Sequence, residues 1–264
     1  MYKRELQSID NQEKAYLLGL FYSDGNVGLN QVQCRIELKL EDKDLVFQLQ
    51  KIFPFFFIHY DRGTKIELGN YEKSLKEDLI LNGCFPRKSF ENKENLHLPD
   101  IDKNLLRHFI RGYFDGDGGC TLSHSGRKTQ KRVYIYSASI NFLKEVQKEL
   151  QYNNIISKLQ IINNVGKLTI STYSYALFFD YLYKDSIIFM ERKLNKLNQI
   201  LATEFFTPKK TLPCKFCNST NTVCDGYNYY KIKKQRYLCK TCKKHFTAPI
   251  ISNDNSGEGE LLED

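Results

Sequence analysis

The segment "AYLLGLFYSDGNVG" (residues 15–28) returns in altered form 93 residues later as "FIRGYFDGDGG" (residues 109–119). Aligned, Leu18-Gly19-Leu20-Phe21-Tyr22-Ser23-Asp24-Gly25 falls on Arg111-Gly112-Tyr113-Phe114-Asp115-Gly116-Asp117-Gly118. A repeat at this offset obliges two halves of the chain to share one architecture, a tighter constraint than any bulk property.

Both copies read as the end of an apolar helix closed by Asp-Gly. A carboxylate there meets the negative end of the helix dipole, at a cost of roughly 0.3–1 kcal/mol. A mid-helix glycine, Gly19 or Gly112, costs about 1 kcal/mol relative to alanine. One arrangement accounts for both. The helices pack side by side with the two glycines at the contact, and Asp24 and Asp117 converge where divalent cations neutralise them. Oxygen ligands of this kind suit Mg²⁺ (or Mn²⁺), and such ions activate water and stabilise the leaving oxygen of a phosphodiester.

The segments after each motif also recur. "VQCRIELKL" alternates Cys34, Ile36, Leu38 and Leu40 with Arg35, Glu37 and Lys39, a strand with one wet face. Helical spacing follows over 42–53 with Asp42 as N-cap, then strands "FFFIHY" and "TKIELG" across "DRG", then a helix closed by Gly83. The second half gives a helix over 103–115 and strands "CTLSHSG" and "KRVYIYSAS". A helix over 140–151 follows, then strands near 155–162 and 166–172 across Asn163-Asn164, and the helix "SYALFFDYLYKD". The predicted class is α+β, an αββαββα unit present twice, with "MERKLNKLNQILATEF" as a further helix. The predicted divisions are 1–100, 101–202, a linker over 203–213, a metal module over 214–248 and an acidic, disordered tail over 249–264.

The formal net charge is +8, and residues 208–247 hold ten Lys or Arg against one acid, Asp225. A basic body points to a polyanionic partner. No apolar run reaches membrane-spanning length and no secretory signal opens the chain, so a soluble intracellular protein is expected, with no membrane partner. Five of the eight cysteines cluster near the C-terminus. There Cys214/Cys217 and Cys239/Cys242 form two C-x-x-C knuckles, the spacing of a tetrahedral Zn²⁺ site. Cys224 is read as free. The stretch "QRYLCKTCKKHFT" is similar to the zinc ribbons of some transposases, which implies added DNA contacts through Tyr229, Tyr230, Lys233, Lys234, Arg236 and Lys244, with protein contact as the alternative.

Over about residues 10–200 the two motif copies resemble LAGLIDADG, and the chain resembles a single-chain, two-repeat LAGLIDADG homing endonuclease. The resemblance implies that fold, pseudo-twofold, and a monomer that hydrolyses one phosphodiester on each strand of a long, near-asymmetric double-stranded DNA site. Asp24 and Asp117 are then the catalytic metal ligands, helped by the carbonyls of Ser23 and Gly116. The first motif acid survives as Asp115 but is Tyr22 in the first copy. Supporting roles fall to Glu41, with Ala138 or Ser139 opposite it, and to the lysines Lys88 and Lys193. Arg35, Glu37 and Lys39, and Arg132, Tyr134 and Tyr136, alternate as DNA-reading faces. The cations Arg62, Lys65, Arg127, Lys128 and Lys131 are added to that surface. The alternatives are an RNA maturase, a DNA-binding regulator, or a strand-specific nickase. With no terminal His-Asn splicing block, the chain reads as free-standing rather than intein-borne.

Overall fold

A computed structural model describes residues 2–61, 63–125, 128–202, 212–228 and 234–248. The chain divides into two compact units, Met1–Thr203 and Glu204–Asp264. No described helix is long and apolar enough to cross a membrane.

The first unit runs α1 (Gln12–Ser23), β1 (Gly25–Val27), β2 (Cys34–Lys39), α2 (Lys43–Ile52), β3 (Phe57–Asp61), β4 (Lys65–Asn70) and α3 (Lys73–Leu81). It continues with α4 (Lys103–Asp117), β5 (Gly118–Ser125), β6 (Lys128–Ser137), α5 (Ile140–Tyr152), β7 (Ser157–Ile162), β8 (Val165–Ile170), α6 (Tyr175–Tyr183) and α7 (Glu191–Ala202). The αββαββα order thus occurs twice, and the antiparallel sheets β1-β2-β4-β3 and β5-β6-β8-β7 share one topology. The helix expected over 103–115 continues two residues further, to Asp117.

Caps begin the central helices. Asn11 accepts from the Lys14 amide at 2.9 Å and Asp102 from the Asn104 amide at 2.7 Å. From Ala15 to Tyr22 every residue of α1 is buried, so the helix has no solvent stripe and serves as an interior wall. Its partner is α4, buried from His108 to Asp115. The outer helices are amphipathic instead: α2 buries Leu45, Val46 and Leu49 against its sheet, and α5 buries Phe142, Leu143, Val146 and Leu150 against the other. The strands alternate as read, with Cys34, Ile36 and Leu38 inward and Arg35, Glu37 and Lys39 outward. Asn163 and Asn164 both take positive φ, at 51° and 63°, the conformation of a tight two-residue hairpin.

The first acid of the second motif is structural. Asp115 accepts from Tyr16 Oη at 2.7 Å, Tyr183 Oη at 2.6 Å and the Met190 amide at 2.7 Å, tying α4 to α1, α6 and the entry to α7. In the first repeat Tyr22 donates to the Asn82 carbonyl at 2.7 Å, stitching α1 to the end of α3. The pairing has exchanged with it. Tyr16–Asp115 is a hydrogen bond, and its counterpart, Tyr22–Phe109, is an edge-to-face ring contact at 4.8 Å.

The second unit holds an antiparallel sheet of β9 (Thr222–Asn228), β10 (Lys234–Cys239) and β11 (His245–Ala248), ordered β11-β10-β9. Its small core is Cys214, Cys239, Tyr237 and Phe246, the two rings stacked at 5.3 Å.

Candidate active site

The helix contact places the motif acids. A Cβ on Gly19 would lie 2.1 Å from the Phe109 carbonyl oxygen, and one on Gly112 would lie 2.1 Å from the Tyr16 carbonyl oxygen. Both obstacles are backbone, so only glycine lets α1 and α4 approach this closely. The C-terminal tips therefore lie side by side. Asp24 Oδ2 sits 2.6 Å from where a Cβ on Gly116 would stand, so the first acid abuts the residue before the second.

Burial raises the Asp24 carboxyl to about 6. The Asp117 charge pushes in the same direction, while Lys193 and Lys88 pull against it. Burial also raises Asp117, against Lys88, a hydrogen bond from Tyr113 and Lys193. The two lysines come from the segments that follow α3 and α6. Lys88 Nζ donates to the Gly25 carbonyl, and Lys193 Nζ to the Gly118 carbonyl and, at 3.5 Å, to that of Gly116. Each ammonium thus sits on the carbonyl just after a motif acid. Burial pushes Lys193 below its ordinary value. Ser23 Oγ turns back to the Leu20 carbonyl at 3.1 Å.

The surroundings of the two acids are unequal. Glu41 lies 3.2 Å from Arg192 and 3.5 Å from Lys39, already ion-paired. Asp42, expected as an N-cap, makes no capping bond; its buried carboxylate takes Arg192 bidentately at 3.1 and 2.9 Å. On the other side Ala138 lines an open cavity of about 1100 Å³ with Asp24, Asn26, Lys88, Asn163 and Asn164. Ser139 is buried, and its hydroxyl caps α5 at the Phe142 amide (3.2 Å), so it offers nothing to that cavity. Tyr113 was not singled out from the sequence. Its hydroxyl stands between the Tyr136 carbonyl, 3.1 Å away, and the Asp117 carboxylate, either of which can accept its one proton, where the first repeat has Leu20.

The wet sheet faces carry seven of the predicted contact residues. Arg35, Glu37, Lys39 and Lys65 share one face with His59, and Glu67 lies on the same side, buried beneath them. Arg132, Tyr134 and Tyr136 share the other with Thr121, Lys167 and Thr169. Lys167 stands 4.4 Å from the Tyr134 ring and 5.3 Å from that of Tyr136, a cation over two aromatic faces. Lys131 does not belong to that surface: strand alternation sets it on the side of Val133, opposite Arg132. Arg62, Arg127 and Lys233 lie outside the described residues, as do the side chain of Lys128, Tyr229, Tyr230 and the tail.

In the second unit the four knuckle sulfurs lie within 4.8 Å of one another, Cys214–Cys242 and Cys217–Cys239 each at 3.6 Å. Four thiolates about 2.3 Å from one zinc stand about 3.8 Å apart, so the cluster fits that ion. Amides of Phe216 and Cys242 donate to Cys214 and Cys239 sulfurs at 3.4 Å; the latter bond is the main reason the Cys239 thiol is pushed down to about 6. Lys234 is exposed; Arg236 pairs with Asp225 at 3.1 Å. The side chain of Cys224 lies outside the described ones.

Residues 104–183 match the family model described as a LAGLIDADG-like domain. The fold is that of the LAGLIDADG meganucleases. The meganuclease I-AabMI bound to uncleaved DNA matches with a TM-score of 0.51 at 15% identity, over 73% of this chain and 89% of that one. Variants of the homing endonuclease I-DmoI match with a TM-score of 0.49 at 17% identity, over 71% and 97%. Curated relatives share shorter stretches. The Dof zinc finger protein DOF3.2 of Arabidopsis thaliana is 38% identical over 53 residues, 20% of this chain and 22% of that protein. An uncharacterised protein of Methanocaldococcus jannaschii is 21% identical over 134 residues, 50% of this chain and 51% of that one. The chain thus spans about half the length, or less, of these curated relatives.

Proposed function

We propose that the chain is a metal-dependent, site-specific DNA endonuclease that hydrolyses one phosphodiester on each strand of a long, near-asymmetric duplex site. The observation that carries this reading is the abutment of Asp24 against the Asp117 tip: two carboxylates crowded at one end of the helix pair, open to solvent on one side and both raised, with Asp117 and Asp42 adding their charge to Asp24. Such a pair calls for cations. A divalent ion held there, Mg²⁺ or Mn²⁺, supplies Lewis-acid polarisation of the phosphodiester and activation of water. Asp24 and Asp117 would hold it, with the carbonyls of Ser23 and Gly116 beside them.

The chain's own groups do the rest. Lys88 and Lys193 stand where positive charge meets the charge developing on phosphate oxygens. The two wet sheet faces fit the major groove, wide enough to take a β-ribbon. The I-AabMI meganuclease, of like fold, is bound to DNA. In the second unit we assign Zn²⁺ to Cys214, Cys217, Cys239 and Cys242, with DNA contact extended through Lys234 and Arg236; a zinc finger protein is among the relatives. The unequal surroundings of the two acids favour a second reading, in which one strand is cut faster than the other.

Incubation with a randomised duplex library tests the proposal. Cleavage that needs Mg²⁺ or Mn²⁺, stops in EDTA and is lost in Asp117→Asn is expected. Tight, specific binding with no cutting under any metal would make the chain a regulator instead.

A further inference from the structure

The two wet sheet faces occupy equivalent places but carry different chemistry. The pairing Asn26–Arg35 recurs as Gly119–Tyr134, and Arg35–Gly69 recurs as Tyr134–Thr169. By that register, the cross-strand pair Glu37–Glu67 in the first sheet corresponds to Tyr136–Lys167 in the second. One half thus sets two carboxylates against each other where the other half sets a tyrosine beneath a lysine.

Like charges directly opposite on a sheet destabilise it, and carboxylates repel the DNA backbone. The first sheet compensates locally. Arg35 lies 3.2 Å from Glu67, and Lys65 lies 2.5 Å from Glu37, the two pairs crossing neighbouring strands. The face is a lattice of alternating donors and acceptors. The second face carries Arg132, Lys167 and Lys158, and no acid among its described residues.

Besides holding such cations in place, a carboxylate on a DNA-facing surface gains a direct contact only at a base edge that offers a donor. In the major groove cytosine presents its N4 amino group and guanine presents O6 and N7 acceptors. An Arg–Glu pair satisfies both halves of a G·C pair at once. We propose that Glu37, with Lys65 and with an Arg35 held in place by the buried Glu67, makes the first repeat a reader of G·C pairs, while the second repeat, lacking acceptor carboxylates, binds chiefly through phosphate and ring contacts. This inference rests on the endonuclease reading and names the substrate that its first half-site takes.

Binding selections in EDTA from a duplex pool randomised across the whole footprint test it, with wild type, Glu37→Gln and Glu67→Gln. Wild type should enrich G·C at neighbouring positions in one half-site only, disfavouring A·T there by roughly 5- to 100-fold. Glutamine pairs with adenine N6 and N7, so Glu37→Gln should move the preference at its position towards A·T. Its affinity for non-specific DNA should rise with loss of the negative charge. Glu37 lies at the surface, so this variant reports even where Glu67→Gln unfolds the sheet. An enriched, metal-cleavable site with no G·C bias in either half, or a Glu37→Gln selection identical to wild type, would overturn this inference alone. A pool from which no duplex is enriched would overturn the endonuclease reading with it.

Discussion

Replacing Asp24 by asparagine should stabilise the metal-free protein. In the fold, burial and the Asp117 charge raise the Asp24 carboxyl from the ordinary 3.8 to about 6, even with Lys193 and Lys88 opposing the rise. A raised carboxyl means that ionisation is harder folded than unfolded. Its contribution to stability is complete below pH ~3.8, falls as pH climbs towards 6, and is a fixed penalty above that. At about 1.36 kcal/mol per pH unit the penalty is at most about 3 kcal/mol, and solvent at this half-buried site brings it to roughly 1–3 kcal/mol. For a unit the size of Met1–Thr203, each kcal/mol is worth roughly 2–4 °C, so Asp24→Asn should raise Tm by roughly 2–12 °C at pH 8. Calorimetry in EDTA at pH 8 and pH 4 is the assay; the gain should be present at the first and nearly gone at the second. Added Mg²⁺ should raise the wild-type Tm by mass action and move the variant less. A variant less stable than wild type at pH 8, or one whose gain is the same at both pH values, would refute the electrostatic reasoning.

Three further outcomes follow from the packing. Gly112→Ala sets a methyl group 2.1 Å from the Tyr16 carbonyl, so the helices must part; a loss of about 1–3 kcal/mol in urea unfolding and loss of cleavage are expected. Asp115→Ala leaves two buried hydroxyls and an amide without their acceptor, and should cost about 3–5 kcal/mol by the same measurement. Chelation should remove about one Zn²⁺ per chain, counted with a colorimetric dye, and melt the 214–248 module while the far-ultraviolet signal of the first unit persists.

The sequence disclosed the duplicated body because helix periodicity and strand alternation are local, and the Asp-Gly copies marked where each half begins. Gly19 and Gly112 could be read as a helix contact because glycine is otherwise costly there. The Cys214/Cys217 and Cys239/Cys242 knuckles were legible for the same reason: two short spacings fix four sulfurs. What escaped depends on cross-strand and cross-repeat neighbours. Asp42 looked like a cap until Arg192, 150 residues away, was found on its carboxylate. Nothing local marks Tyr113, Glu67 or Lys167, since Tyr113 matters through its reach to Asp117 and the other two through the registers Glu37–Glu67 and Tyr136–Lys167. Lys131 was open to correction from the sequence itself, since it is out of phase with Arg132, Tyr134 and Tyr136.

Anomalous diffraction from crystals of the protein with a selected duplex, grown in Mn²⁺, bears most directly on whether the two helix tips share cations. Manganese peaks within coordination distance of carboxylate oxygens from both Asp24 and Asp117, beside the phosphates to be cut, are the predicted result. Peaks confined to other acids, or tips bare of metal in a complex that still cuts its DNA, would contradict it.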